Sequence, residues 1–222
     1  MILKNKKAFT LTELLLALAV VGTVAALSIP ALLDTINRKV LSSQLKNTVL
    51  MVQNLADEQL VNNKTQTLDN TQFSDPTKLL SGSNLAIANP CTKADDCWPA
   101  NYKKLSDMTN SIGRPGGTSK MLKNGAVINY SLSELGNEWA DGDKCYGLFW
   151  VDVNGKDKPN ILGRDFFAFR ITKKGKIVYG TSCNGLTSEN TTDEKMLEYC
   201  KTNTYATACL AHIQRNNWKI TY

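Results

Sequence analysis

The chain has 222 residues, 42% of them hydrophobic and 21% charged, so its composition excludes a disordered or low-complexity protein. This length suits one folded domain with one additional segment. The 26 basic and 20 acidic side chains give a net charge of +6, and three of the lysines lie among the first seven residues, which leaves +3 for the remainder. A charge this small, with no basic stripe, predicts that nucleic acid is not a partner.

A long apolar run begins close to the N-terminus. Residues 14–33 read LLLALAVVGTVAALSIPALL, and as a helix they would span about 30 Å, the thickness of the hydrocarbon core of a membrane. Lys4, Lys6 and Lys7 precede the run, and the positive-inside rule keeps such a cluster in the cytoplasm. We therefore expect one membrane-spanning helix, with everything after Asp34 on the far side of the membrane.

Glu13 stands at the head of the apolar run, where an acidic side chain costs about 2.5–3.5 kcal/mol to place in lipid. Three interpretations compete for this segment: a cleaved secretory signal, a simple membrane anchor and a specialised assembly segment. A secretory signal would be cut after Val24-Ala25-Ala26, but an acidic residue is out of place in its apolar region. A simple anchor accommodates Glu13 only as a side chain at the headgroup boundary.

The residues around Glu13 resemble the N-terminus of the type IV prepilins, the family that includes pilins and the pseudopilins of type II secretion. Its pattern is a short basic leader, a cut before a Phe, a Thr-Leu step and a Glu as fifth residue of the mature chain. The matching residues are Phe9, Thr10, Leu11 and Glu13, and Gly22 and Pro30 fall where many pilins have a Gly and a helix-kinking Pro. Two positions depart from the pattern, because Ala8 stands where Gly is usual and Thr12 where a large aliphatic residue is usual.

The resemblance implies that prepilin peptidase cleaves between Ala8 and Phe9 and removes residues 1–8 as a leader. In the family the same enzyme methylates the new amine, here that of Phe9. The carboxylate of Glu13 in an incoming subunit would then pair with the Phe9 amine of a neighbour, and each charge would relieve the burial cost of the other. The resemblance thus implies a structural subunit, a minor pilin or pseudopilin, of a type IV pilus or type II secretion filament.

The resemblance also implies a location and a set of partners. The precursor would cross the inner membrane once with its C-terminal domain in the periplasm, and the mature protein would join a periplasmic or extracellular filament. Its partners would be prepilin peptidase, other pilin or pseudopilin subunits and the assembly platform of the inner membrane.

The helical pattern continues beyond the membrane, because apolar residues recur at three- and four-residue steps from Ile36 to Leu60. Together with the apolar run this predicts one helix of about 54 residues, roughly 80 Å long. Pro30 lies inside this helix and would kink it without ending it. The predicted segments are residues 9–33 as the membrane or filament-core half of the helix, 34–62 as its amphipathic half and 63–222 as a globular domain.

The remaining chain predicts a small β domain. Residues 62–89 are rich in Asn, Thr, Ser, Asp and Gln, which indicates a surface connection with little regular structure. An antiparallel sheet of about four strands is predicted from segments rich in β-branched and aromatic residues, at 126–130, 145–153, 166–171 and 176–179. Lys173-Lys174-Gly175 forms the predicted hairpin turn, and one or two short helices are expected between Asp193 and Trp218. The predicted fold class is α+β, with a long N-terminal helix packed against a small antiparallel sheet.

Six cysteines lie after the apolar run: Cys91, Cys97, Cys145, Cys183, Cys200 and Cys209. No pair has the C-x-x-C spacing of zinc or redox sites, and one histidine supplies few further metal ligands. An even number of cysteines in the exported part predicts up to three disulfides in an oxidising compartment. A bridge between Cys91 and Cys97 would close a short loop, and Cys200 and Cys209 would pin the tail helices, but the sequence leaves the connectivity open.

The segment from residue 152 to residue 165 is rich in oxygen-bearing side chains. Asp152, Asn154 and Asp157 are ligands of the kind that calcium prefers, and some pseudopilins hold calcium in a loop between strands. The spacing differs from an EF-hand, since Gly155 is misplaced and Gly163 stands where the bidentate Glu belongs. The same residues also predict an Asn-Gly turn followed by a Pro-Asn turn. Calcium is therefore the one candidate cofactor, and no other is expected.

Nothing in the sequence predicts catalysis. There is no G-x-S-x-G elbow, P-loop or dinucleotide motif, and His212 lies in an apolar stretch that favours a structural role. We therefore expect a structural protein and not an enzyme. The competing functional class is a membrane-anchored or secreted binding module. One form of this alternative is an adhesion module that depends on calcium. Glu13 separates the two, because a plain anchor does not need it.

Overall fold

The structure is a computed structural model that describes residues 10–81, 85, 87–91, 93–108, 111–133, 143–181, 190–202 and 206–222. The chain forms two units, one up to Arg38 and the other from Lys39 to Tyr222. The described part of the first unit is helical, whereas the second unit contains the sheet and the hydrophobic core.

Helix α1 runs from Leu11 to Asn62 and confirms the predicted long helix, with Pro30 inside it. In the first unit its apolar side chains are exposed. The two hydroxyl groups of the apolar run are satisfied within the helix, since Thr23 Oγ1 donates to Val20 O at 2.9 Å and Ser28 Oγ donates to Val24 O at 2.7 Å. This half of α1 therefore presents a surface of hydrocarbon.

From Lys39 onward α1 is amphipathic, as the spacing of its apolar residues predicts. Its buried apolar residues join the main core together with residues of the sheet: Leu41, Leu45, Val49, Val52, Leu55 and Ala56. Gln53 adds a polar contact to the same packing, because its Nε2 donates to Gly175 O at 2.8 Å and its Oε1 accepts from Ile177 N at 3.0 Å. The second half of α1 is thus held to the sheet by apolar burial and by one amide side chain.

The main sheet has six strands, not the four that were predicted. Its strands are β1 (Ile87–Pro90), β4 (Ser119–Leu122), β5 (Val127–Leu132), β6 (Cys145–Asp152), β7 (Phe166–Thr172) and β8 (Ile177–Val178). They pair antiparallel in the spatial order β1-β4-β5-β6-β7-β8, and a separate two-stranded sheet is formed by β2 (Tyr102–Lys103) and β3 (Ser111–Ile112). All four predicted segments are strands, and β1 and β4 extend the sheet beyond them.

Successive side chains along β6 and β7 point to opposite sides, which gives the main sheet two distinct faces. The cross-strand pairs Phe149–Phe169 and Val151–Phe167 face the core that α1 covers. The pairs Leu148–Arg170 and Trp150–Ala168 lie in register between them and therefore belong to the opposite face. The predicted hairpin between β7 and β8 is confirmed, and its turn has Gly175 at φ +81°.

The prediction of little regular structure for residues 62–89 is wrong. This segment forms two short 3-10 helices, Leu68–Asn70 and Gln72–Ser74, then helix α2 (Pro76–Ser81) and strand β1. Leu68, Phe73, Leu79 and Leu80 are buried in the main core, and widely spaced anchors of this kind show no helical or strand period. The polar residues serve as local caps, since Asp75 Oδ1 accepts from Thr77 N at 2.8 Å.

A second, smaller core covers part of the opposite face of the sheet. It contains Trp98, Tyr102, Val127, Leu162 and Phe166. The Phe166 ring is stacked on Tyr102 with ring centres 3.8 Å apart and on Trp150 at 5.1 Å. A disulfide joins Cys91 to Cys97 across helix α3 (Ala94–Cys97) beside this core.

The predicted tail helices are α4 (Asp193–Thr202) and α5 (Ala208–Arg215), and a disulfide between Cys200 and Cys209 joins them. Both sulfur atoms lie against Gly163 of the loop after β6, where an added Cβ would be 3.2 Å from each. Cys145 is also disulfide-bonded. Cys183 lies outside the described residues.

Candidate functional site

The N-terminus of α1 is closed by reciprocal hydrogen bonds between Thr10 and Glu13. Thr10 Oγ1 accepts from Glu13 N at 3.2 Å, while Glu13 Oε2 accepts from Thr10 N and from Thr10 Oγ1, each at 2.9 Å. This is a capping box, in which a Thr and a Glu three residues later satisfy amide groups that the first turn of a helix leaves unpaired. The negative charge of Glu13 also interacts favourably with the positive end of the helix dipole.

The family resemblance implied a role for Glu13 between subunits, whereas the capping box gives Glu13 a role within its own chain that was not predicted. The signal was present, because T-x-x-E immediately before an apolar run is the pattern of a capping box. Among the described residues no hydrogen bond is made by the second carboxylate oxygen, Glu13 Oε1. One oxygen of Glu13 therefore caps the helix, and the other is available to a further donor.

The predicted processing residues Ala8 and Phe9 lie outside the described residues. The helix that follows them is long and apolar enough to cross a membrane, by its length and composition. Its side chains in the first unit are exposed, with Leu11 at 76% and Leu27 at 81%. So large an apolar surface on one helix requires lipid or protein around it.

The candidate calcium ligands lie in the loop between β6 and β7, but each makes a different contact. Asp152 is fully buried at the end of β6, where its Oδ2 accepts from the Tyr102 hydroxyl at 2.6 Å and its Oδ1 accepts from Asn154 N at 3.2 Å. Asn154 Nδ2 donates to the carbonyl oxygens of Asp157 and Lys158 at 3.1 Å each. Asp157 is exposed to solvent.

A second buried carboxylate, Asp165, closes the same loop and was not among the predicted ligands. Its two oxygens accept from Asn160 N at 2.5 Å and from Ile161 N at 2.7 Å. Burial raises the pKa of Asp165 to about 6, and burial together with the nearby charge of Asp165 raises the pKa of Asp152 to about 8. Both carboxylates therefore act as acceptors that order turns inside a low-dielectric environment.

The described residues contain no group of three or more His, Cys, Asp or Glu side chains placed to hold a metal ion. The oxygens of Asp152 and Asp165 are engaged by hydrogen-bond donors, although the amide oxygens Asn154 Oδ1 and Asn160 Oδ1 are buried without a partner. The loop thus has the predicted turns, and calcium binding by it stays a prediction.

His212 is buried in α5, and each of its ring nitrogens lies within hydrogen-bond distance of a side chain. Its Nδ1 lies 2.8 Å from Asp193 Oδ1 and its Nε2 lies 3.0 Å from Thr221 Oγ1, which joins α5 to the start of α4 and to the C-terminus. Both ring nitrogens are used within the fold, which is the pattern of a structural histidine.

Comparison with known proteins gives one finding about the N-terminus. Residues 3–29 match the family model described as the prokaryotic N-terminal methylation motif. Neither the curated proteins nor the solved structures provide a match to the chain. The matched residues include the capping box and most of the exposed apolar part of α1, and the chain therefore carries the type IV prepilin signature at its N-terminus.

Proposed function

We propose that this protein is a structural subunit, a minor pilin or pseudopilin, of a type IV pilus or type II secretion filament. The observation that carries the proposal is the exposed apolar half of α1, which is headed by the Thr10–Glu13 capping box and most of which lies within the match to the methylation motif. Prepilin peptidase would cut between Ala8 and Phe9 and methylate the new amine. No catalytic step is part of this role.

The capping box supports an assembly role for Glu13. Its Oε2 is hydrogen-bonded to the backbone of Thr10, so the carboxylate is turned toward the end of the chain at which cleavage creates an amine. The second oxygen would accept the Phe9 amine of a neighbouring subunit while the first keeps the helix capped. An ion pair formed in the apolar centre of a filament offsets a desolvation cost that either charge alone would suffer in full.

The apolar half of α1 supports the two locations that the proposal requires. Before assembly, lipid would cover this surface in the inner membrane, with the basic residues Lys4, Lys6 and Lys7 on the cytoplasmic side and the C-terminal domain in the periplasm. After assembly, equivalent helices of other subunits would cover it. The assembly platform of the inner membrane would transfer the subunit between the two environments.

The experiment that tests the proposal is the mass and N-terminal residue of the protein purified from its native membrane. We expect a chain that begins with N-methyl-Phe9. A large side chain at the cleavage site, Ala8→Leu, should leave the precursor uncut, and Ala8→Gly should be cut at least as efficiently as the wild type.

The same measurement distinguishes the competing functions. A chain beginning at Leu27 would identify a secreted domain released after Val24-Ala25-Ala26, and an intact Met1 would identify a plain membrane anchor. Either result would overturn the filament proposal and favour the binding module.

Calcium is tested separately, by the melting temperature of the purified protein in EDTA and in millimolar calcium. If Asp152, Asn154 and Asp157 bind the ion, calcium should raise the melting temperature through its preference for the folded state. Asp157→Asn should reduce that rise. Equal melting temperatures in the two buffers would exclude calcium as a cofactor.

A further inference from the structure

The face of the sheet opposite α1 contains a cavity that the filament role does not use. Its volume is about 340 Å³, within the range of small-molecule sites. Its floor consists of the outward-facing residues of two neighbouring strands, with Leu148 and Trp150 from β6 and Phe166, Ala168 and Arg170 from β7.

Apart from Arg170 the floor is apolar, and its aromatic rings are stacked. Phe166 is held between Trp150 and Tyr102, with the ring planes tilted by only 16° and 11°. Ile112 and Ala206 form part of the walls, so the cavity has hydrocarbon on several sides. A preformed surface of this kind binds an apolar group without the entropic cost of ordering its own side chains.

Arg170 gives the cavity its one charge, since it is the only ionisable side chain among the described residues that line it. Its Nη1 donates to Ser133 Oγ at 3.0 Å, while its Nε is buried without a hydrogen-bond partner. Among the described residues no carboxylate pairs with it. Burial lowers the pKa of the guanidinium, which shows that its positive charge is poorly solvated.

A half-buried guanidinium that lines the cavity and pairs with no described carboxylate is the group that best recognises a carboxylate, because its planar fork matches the two oxygens. We propose that the cavity binds a small organic carboxylate with an apolar body, whose carboxylate pairs with Arg170 and whose body lies against the partly exposed side chains of Leu148 and Trp150. This inference does not depend on filament assembly. Exclusion of water by the apolar floor would strengthen the ion pair relative to one at the surface.

The test uses ligand-observed fluorine NMR on the full chain in detergent, with 4-fluorophenylacetate as the probe and its neutral amide as the matched control. The two probes share shape and apolar area and differ in charge, so the amide also measures partition into the detergent. We expect the carboxylate to bind roughly tenfold more tightly than the amide, as one charge-assisted hydrogen-bonded pair allows.

Two variants of Arg170 and one control variant assign this preference to Arg170. Arg170→Gln should remove the difference between the two probes and leave the affinity for the amide unchanged. Lys46→Gln removes one exposed positive charge from α1 and should keep the difference, which excludes a general effect of net charge. Arg170→Lys, which keeps the charge but not the planar fork, should give an intermediate preference and provides a test even if Arg170→Gln does not fold.

Three results would overturn the proposal. They are equal affinities of the carboxylate and the amide for the wild type, no measurable binding of either probe at millimolar concentration, and a preference for the carboxylate that persists in Arg170→Gln. Far-ultraviolet circular dichroism of each variant establishes that the comparison is made between folded proteins.

Discussion

Glu13 caps its own helix and carries the charge proposed to bind a neighbouring subunit, and one substitution separates the two roles. Gln at the third helical position still completes a capping box but has no charge. Glu13→Gln should therefore insert into the membrane and be cleaved normally, yet fail to enter filaments. The amount of subunit in the sheared filament fraction, relative to the membrane fraction, measures this outcome.

The matched control for Glu13→Gln is Thr10→Ala, which removes the hydroxyl of the cap and keeps the carboxylate. Loss of a Thr cap costs about 1 kcal/mol of helix stability, which should loosen the first turn of α1 without preventing assembly. Normal incorporation of Glu13→Gln would show that the carboxylate serves the helix and not the contact between subunits.

Asp152 makes the stability of the globular unit depend on pH. Its pKa is raised from 3.8 to about 8 in the folded protein, mainly by burial. Between these values the folded state holds a proton that the unfolded state has released, so stability decreases as the pH rises. Asp165, with a pKa of about 6, adds to the decrease below pH 6. Between pH 6 and pH 8 the free energy of unfolding should fall with a limiting slope of about 1.4 kcal/mol per pH unit.

Urea unfolding in EDTA at pH 6 and pH 8 measures the effect. In Asp152→Asn the side chain cannot ionise but still offers an oxygen to the Tyr102 hydroxyl, and the difference between the two pH values should largely disappear. The exposed Asp157→Asn serves as the control and should behave as the wild type does. Equal wild-type stability at both pH values would contradict the argument.

At the scale of elements, helix α1 packs against the turn of the β7–β8 hairpin and leaves no space for a side chain at Gly175. Gly175 has φ +81°, and an added Cβ would lie 3.0 Å from Leu60 Cδ1 and 3.5 Å from Ala56 Cβ of α1. A side chain at this position would meet both a left-handed backbone and a packed helix. Gly175→Ala should therefore lower the free energy of unfolding by roughly 1–2 kcal/mol, measured by urea unfolding.

Gly116→Ala is the matched control for the hairpin. An added Cβ there would meet no atom within 4 Å, and the backbone lies outside the left-handed region. This substitution should leave stability unchanged or raise it slightly, because alanine restricts the unfolded chain. A loss equal to that of Gly175→Ala would show that neither the left-handed backbone nor the helix contact accounts for the loss at Gly175.

The elements that the sequence predicted correctly are those with a local pattern. Strands β5 to β8 have β-branched and aromatic residues next to clear turns, and α1 has a long helical period. Strands β1 and β4 lack that signal, since Ile87–Pro90 and Ser119–Leu122 are short and contain no aromatic residue and only one β-branched residue, and they become strands by pairing with a neighbour. Their formation is decided by tertiary contacts, which no local pattern shows.

At the scale of the whole molecule, the fold creates contacts between residues that are distant in the sequence, and these contacts could not be predicted from separate segments. The N-terminal motif could be recognised because its residues are adjacent in the sequence. The capping box of α1 consists of residues from the same few positions. The buried pair Asp152 and Asp165 was not recognised, because its environment depends on Tyr102, fifty residues before Asp152. The cavity was missed for the same reason, since Trp150 and Arg170 become neighbours only through the register of β6 and β7.

The disulfide between Cys200 and Cys209 joins the two tail helices to each other and packs against the loop after β6. Both cysteines are fully buried and contact Gly163, whose carbonyl accepts from the hydroxyl of Tyr222 at 2.8 Å. Replacing both cysteines by alanine removes a closed loop and leaves space in the core, so we expect a loss of roughly 3 kcal/mol in urea unfolding.

The disulfide between Cys91 and Cys97 is the natural comparison, because it closes a loop of similar length around a half-exposed Cys91. Loop closure alone predicts similar losses for the two double alanine variants. Burial predicts that the double variant Cys200→Ala with Cys209→Ala loses clearly more free energy of unfolding. The cavity left by these two side chains would lie among Leu210, Ile213 and other residues of the main core. Equal losses would mean that the tail helices are held by chain entropy and not by their packing against the loop after β6.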